Sequence, residues 1–324
     1  MENKPPRQDD RLIIVGGAPR SGTTLVQNIL DSHSAITGGP EFDRLPDIMR
    51  LKELLYHSIE VGRIDLYCGK GDVDRGLGDL IEGLICPYGD SKGGRYISEK
   101  TPNNVLVFSD LMPVLPRAKF IFCLRDPRAI ISSLLEVGKR ARKKGLMTEG
   151  YTRSLFRSIQ AVRRYIYMGY KAYQEDPERV LIIKFEDLVR NPELITRDIC
   201  AFLSLPWEGG MVNPGAQSHD TTHVVGAGKE ADGVWYTQEN ISANIDEGKS
   251  SGWFKKLPFY KRVIIEAGFI RFIDMPMFDY FNDLEGKGKK GVFYSALVFR
   301  AGRYVHRKRA LIRLMLVNWL RLRR

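Results

Sequence analysis

The 324 residues of the chain allow one large domain or two small ones, and a hydrophobic share of 43% is enough for a sizeable core. The net charge of +11 is unevenly placed: all 39 acidic residues precede Gly286, while 12 of the 50 Lys and Arg follow Glu285, so the first 285 residues are near neutral. That asymmetry signals an appended basic element and counts against a nucleic-acid-binding body, and the four cysteines, with no C-x-x-C pair, suggest neither a zinc site nor a disulfide framework, so a reducing compartment is the default expectation.

The first ten residues are polar and lack the apolar core of a signal peptide or membrane anchor. Leu12–Val15 is a short apolar run that predicts a buried strand, and Gly16–Pro19 predicts a tight turn. Ser21-Gly22-Thr23-Thr24 then opens a predicted helix, 23–32. Strand, glycine turn and helix N-terminus together make an anion pocket, because the first helical N–H groups have no partner inside the helix and its dipole favours negative charge. The stretch Gly17–Thr24 keeps both glycines and the last hydroxyl of the nucleotide-triphosphate loop G-x-x-x-x-G-K-[ST]. Thr23 stands where that loop has its Lys, and the cation comes earlier, at Arg20. The cradle is present without its triphosphate-specific lysine, which argues against an ordinary ATPase or kinase and for a nucleotide with a different tetrahedral anion at its 5′ end.

Further on, the pattern predicts helices over 43–59 and 72–85, a strand over 96–98 and a helix over 105–111. A strand over 120–124 is followed by Arg125 and a helix over 129–137. A helix over 153–174, a strand over 180–184 and a helix over 192–203 complete the alternation. Such alternation implies an α/β fold, a P-loop-like, mostly parallel sheet flanked by helices, with ligands at the carboxyl ends of its strands. From Trp207 to Gly252 the chain is polar and glycine-rich, a long loop region expected near the active site; 255–272 reads as helical again. Gly286–Gly291 reads as a linker. The expected domains are therefore 11–285, catalytic, and 286–324, a basic amphipathic helical extension.

Ala18-Pro-Arg-Ser-Gly-Thr-Thr-Leu25, followed by Leu30-Asp-Ser-His33, resembles the 5′-phosphosulfate loop of sulfotransferases that use 3′-phosphoadenosine-5′-phosphosulfate (PAPS). Phe120–Ser133 is similar to that family's 3′-phosphate motif, Ser98-Glu-Lys-Thr-Pro-Asn-Asn104 to a lysine-bearing segment of the protein-tyrosine sulfotransferase branch and its bacterial relatives, and Leu181–Pro192 to a family strand and loop. The four segments occur in the family's order over about residues 11 to 205.

The resemblance implies a role for each segment. Ser21, Gly22, Thr23 and Thr24 would hold the 5′-phosphosulfate, with Arg20 neutralising its charge. Arg125 and Ser133 would grip the 3′-phosphate, and Phe185, where the family often has Tyr, would stack on adenine. Lys100 becomes a second cation near the sulfuryl group. Glu41, 21 positions after Arg20, matches by spacing the branch's catalytic glutamate, with Phe42 as an apolar neighbour. Because the wider family uses a histidine base, His33, His57, His219, His223 and His306 stand as rivals. Asp126 and Arg128 read instead as a helix cap and its ion pair.

The expected reaction is sulfuryl transfer from PAPS to a hydroxyl, leaving 3′,5′-bisphosphoadenosine (PAP), with no metal required. A carbohydrate or glycolipid acceptor is favoured over a peptide tyrosine. A P-loop kinase or NTPase, and a nucleic-acid-binding module using the tail, are the competing readings. Golgi members of the family carry an anchor that this N-terminus lacks, so the expectation is a cytoplasmic, bacterial protein. The tail reads either as a peripheral contact with the anionic inner face of the membrane or as a helix packed on the body.

Overall fold

The computed structural model, which describes residues 8–217, 219, 234–235, 245–246, 248, 252–272, 274–275 and 277–280, is organised around β1 (Leu12–Gly17). Leu12 and Ile14 of this strand enter one apolar layer, Ile13 and Val15 the other. In β4 (Lys119–Leu124), Phe120, Phe122 and Leu124 join the first layer, and Ile121 and Cys123 the second. Side chains alternate along a strand, so a strand covered on both faces is apolar throughout, as in parallel sheets lying between helices.

Three more strands complete the sheet: β2 (Ile36–Gly38), β3 (Tyr96–Lys100) and β5 (Val180–Lys184). Their order is β2-β3-β1-β4-β5, and every neighbouring pair is parallel. After β1 the chain skips a position to form β2, fills the gap with β3, then crosses β1 to add β4 and β5. Parallel pairing turns all five carboxyl ends to one edge, and β1 sits where the strand order reverses, the position at which such sheets bind ligands.

On one face lie α1 (Thr23–Asp31) and α8 (Pro192–Leu203), burying Val26, Ile29, Leu30, Ile199 and Leu203. The other face and its flank carry the hairpin of α2 (Leu45–Glu60) and α3 (Lys70–Lys92), then α4 (Phe108–Val114), α5 (Pro127–Lys143) and α6 (Leu155–Glu175). Among the described residues no helix is long and apolar enough to cross a membrane.

The structure departs from the sequence pattern in definite places. β2 was not expected; three residues ending in glycine carry too little periodicity to register. β3 runs to Lys100 instead of stopping at Ser98. The helix expected to end at Ile85 continues through Pro87 to Lys92. The expected 105–111 helix is a 3₁₀ turn, Pro102–Val107, running into α4. A short helix, α7 (Phe185–Arg190), follows β5 at once. Pro258 divides the expected 255–272 helix into α9 (Trp253–Lys256) and α10 (Phe259–Phe269), because proline supplies no N–H to a continuing helix. The basic extension 286–324, His223 and His306 lie outside the described residues.

Candidate active site at the strand ends

Each strand delivers one of the residues singled out by the sequence. Along the sheet edge these are Glu41 after β2, Lys100 ending β3, Arg20 to Thr24 after β1, Arg125 after β4 and Phe185 after β5. With strands about 4.8 Å apart, the row spans roughly 19 Å.

The loop after β1 is built by close approach. A Cβ on Gly17 would come within 2.6 Å of the Cys123 carbonyl oxygen, so β1 and β4 meet there only through glycine. Gly22 has φ +99° and lies under Phe185, where a Cβ would stand 2.5 Å from the ring. Arg20 is itself left-handed, at φ +77°. The Ser21 N–H donates to the Ala18 carbonyl (2.9 Å) and closes the turn. α1 then starts at Thr23 with no side-chain cap. The Ser21 hydroxyl is buried with no hydrogen-bond partner among the described residues. Uncapped amides and an unsatisfied buried hydroxyl suit a tetrahedral anion.

Two arginines converge on this loop. Arg20 Nε donates to Ser133 Oγ (3.0 Å) and Nη1 to the Trp235 carbonyl (2.9 Å). Arg125 Nη1 donates to the Arg20 carbonyl (3.0 Å), and its guanidinium lies 4.0 Å from the Phe185 ring centroid. Burial pushes the Arg125 pKa down to about 10, with the charge of Arg20 adding to the shift and Glu186 and Asp126 opposing it. Arg125 therefore stays cationic at neutral pH. Asp126 caps α5 by accepting from the Arg128 N–H (2.7 Å) and pairs with the Arg128 guanidinium (2.9 Å), the structural parts the sequence suggested. Glu186, which sequence reasoning passed over, accepts from the Asp126 N–H (3.1 Å) and the Tyr280 hydroxyl (2.9 Å). Burial pushes its carboxyl up, against the pull of the Asp126 N–H and Arg125.

At the β2–β3 end, Lys100 is buried and its ammonium forms an ion pair with Glu41. Its Nζ also lies 3.4 Å from Thr24 Oγ1, which joins the pair to the first turn of α1. Glu41 was expected to be governed by its apolar neighbour Phe42; the contact the structure shows is with a cation. The loop is held by Glu99, a second residue missed in the sequence. Its carboxylate accepts from the Phe42 N–H (3.0 Å), from Thr101 Oγ1 (2.7 Å) and from Asn104 Nδ2. Thr101 Oγ1 in turn accepts from the Asp43 N–H (3.2 Å), at a residue with φ +55°. Burial pushes the Glu99 carboxyl up, against these donors and the charge of Lys100. A glutamate between Ser98 and Lys100 gave a signal only through its place in the Ser98–Asn104 segment.

Two of the described histidines, His33 and His219, are held by partners outside this site. His33 Nε2 donates to the Pro206 carbonyl (2.8 Å) while Nδ1 accepts from the Ala35 N–H (3.1 Å), which is one neutral tautomer fully used. His219 Nδ1 meets Asp31 Oδ2 (2.5 Å) and Nε2 meets the Pro214 carbonyl (2.7 Å). Both partners are acceptors, so the site favours the imidazolium, the form in which both ring nitrogens donate. Burial lowers its pKa, the bonds to Asp31 and Pro214 raise it, and the net shift is upward. Asp31 ends α1, roughly 12 Å along the helix from the loop at its start. His57 is exposed on α2.

A family model described as "Sulfotransferase family" matches residues 12–209. The chain is 28% identical to protein-tyrosine sulfotransferase 1 of Danio rerio, over 78% of this chain and 68% of that one. It is 27% identical to protein-tyrosine sulfotransferase 1 of Homo sapiens, over 78% and 65%. It thus spans about two thirds of the length of these relatives. Among solved structures it is similar to the sulfotransferase domain from the curacin biosynthetic pathway (TM-score 0.53, 22% identity, 79% of this chain and 95% of that chain). A mouse sulfotransferase complexed with PAP is also similar (TM-score 0.50, 15% identity, 83% and 85%).

Proposed function

The chain belongs to the sulfotransferase family, and from that premise we propose that it moves a sulfuryl group from PAPS to a hydroxyl acceptor, with Glu41 as the general base. One observation carries the reading: the Glu41–Lys100 pair and the Arg20–Arg125–Ser133 group flank the same phosphate loop, on opposite sides of β1.

PAPS, when bound, supplies the sulfuryl group and a phosphate leaving group. The α1 amides with Ser21, Thr23 and Thr24 would hold its 5′ end, and Arg125 with Ser133 its 3′-phosphate. Arg125 suits that task because its guanidinium is already oriented by the Phe185 ring and the Arg20 carbonyl, so less freedom is lost on binding. Phe185 was expected to stack on adenine, but it is buried, packed on the Arg125 guanidinium and against Gly22, so its part at the nucleotide would be to hold that arginine and the loop in place. On the other side, Glu41 takes the acceptor's proton and surrenders its charge. Lys100, its counter-ion then neutralised, faces Thr24 in the first turn of α1 and would offset negative charge developing on a 5′-phosphate held there.

For the acceptor, a tyrosyl phenol now ranks ahead of a carbohydrate or glycolipid hydroxyl. The curated relatives reported above are protein-tyrosine sulfotransferases. The chemistry agrees: a phenol loses its proton near pH 10, within closer reach of a carboxylate base than an aliphatic alcohol. The catalytic unit is taken as 11–285.

Calorimetry with PAP, ATP and ADP in metal-free buffer tests the donor, and labelled PAPS offered with a tyrosyl peptide or with a glycan tests the acceptor. Selective PAP binding and label on the tyrosine are expected. Equal binding of ATP would return the chain to the kinase reading, and label on the glycan alone would restore the carbohydrate acceptor.

A further inference from the structure

The surface formed by α9 and the start of α10 has a chemistry the reaction does not use. Trp253 faces inward, with the Arg128 guanidinium 4.6 Å from its ring centroid. Its neighbours face outward: Phe254, Phe259 and Tyr260 are 59%, 68% and 60% exposed. Lys255 and Lys256 are exposed between them. The Arg262 guanidinium lies 4.1 Å from the Phe254 ring and 5.8 Å from that of Phe259, so its charge is carried on aromatic faces. From Trp253 to Ile265 the sequence holds four basic residues and no acidic one.

Large rings left in water beside ammonium groups need an occupant that is apolar and anionic together. A second copy meeting the same face would bring like charges together. The chain's own segment 286–324 carries 12 basic and no acidic residues, so it is repelled by the same argument. An anionic bilayer satisfies both demands: rings enter the headgroup and acyl boundary, and lysines stay level with lipid phosphates. We propose that the Phe254, Phe259 and Tyr260 face, with Lys255, Lys256 and Lys261, docks the protein on an anionic lipid surface. Because Trp253 is seated on Arg128 in the first turn of α5, the helix that follows Arg125, the docked face adjoins the arginine side of the candidate site. The proposal is independent of which acceptor is used.

The test is co-sedimentation of the full chain with phosphatidylcholine vesicles, with and without phosphatidylglycerol. Two variants are compared: Phe254→Ser with Phe259→Ser and Tyr260→Ser, and Lys255→Glu with Lys256→Glu. PAP affinity serves as the folding control. The unaltered protein should bind only the phosphatidylglycerol vesicles, less so at high salt. Each variant should lose at least about tenfold in partition while keeping PAP affinity. Should the aromatic variant fail the folding control, the exposed lysine pair decides alone. Variants that sediment like the unaltered protein would assign any lipid binding to another segment and overturn the proposal. No binding to either vesicle overturns it too, including where the same substitutions instead weaken self-association or binding of an acidic peptide.

Discussion

Arg20 Nε donates a 3.0 Å hydrogen bond to Ser133 Oγ, joining a loop residue to a helix residue 113 positions later in the chain. The same Arg20 offers its carbonyl to Arg125 Nη1. Arg20 is thus bracketed by both members of the expected 3′-phosphate grip, and its left-handed backbone is held by that bracket. The two anion grips form one hydrogen-bonded unit, and a substitution in one is transmitted to the other.

Arg125→Ala should weaken PAP binding about thirtyfold or more, the loss of roughly 2 kcal/mol expected for a charged hydrogen-bonding group. Arg125→Lys should recover little, because an ammonium cannot both stack on Phe185 and reach the Arg20 carbonyl. Calorimetry reads both, and a PAP affinity indifferent to Arg125→Ala would remove this residue from the nucleotide site.

Glu41→Gln should cut turnover by about 10²–10⁴, the usual contribution of a positioned base, while PAP still binds. The amide keeps the size of the side chain but neither takes the proton nor balances Lys100. A variant with near-normal turnover on a tyrosyl peptide would end Glu41's candidacy.

Glu99→Gln tests whether the buried carboxylate positions the Glu41 loop. Three donors face it, so an amide must set its own N–H₂ against one of them, at a cost of about 1–3 kcal/mol. Amide exchange at Phe42 and Asp43 should speed up and turnover should fall, with PAP affinity retained. In a Glu41→Gln background the same change should cost little further turnover, since both act through one group. An equal further loss there, or a parallel loss of PAP affinity, would show that Glu99 supports the fold in general.

His219 gives the fold a pH dependence of definite sign. Its folded-state pKa is raised, so its contribution is complete below the unfolded value of about 6.5 and is lost as pH rises through the folded value. Denaturant unfolding should show His219→Gln furthest below the unaltered protein in mild acid, with the gap closing in mild alkali. A gap that does not change with pH would mean the imidazole is neutral in the native state.

The sequence by itself determined the local pieces. An apolar run, two glycines and hydroxyls at a helix start encode the phosphate loop, because each sets backbone geometry within a few residues. Arg125 after a predicted strand and the alternation of strand and helix were legible for the same reason. Tertiary structure alone decided which pieces meet. Glu41 and Lys100 are 59 positions apart, Arg20 and Ser133 are 113, and His219 and Asp31 are 188, and no periodicity spans such intervals. Glu99 looks in sequence like any charged residue, and only its burial on β3 between the loops that follow β2 and β3 makes it a brace. What brings these residues together is the parallel sheet, whose crossovers return every strand in the same direction and so collect five carboxyl ends along one edge.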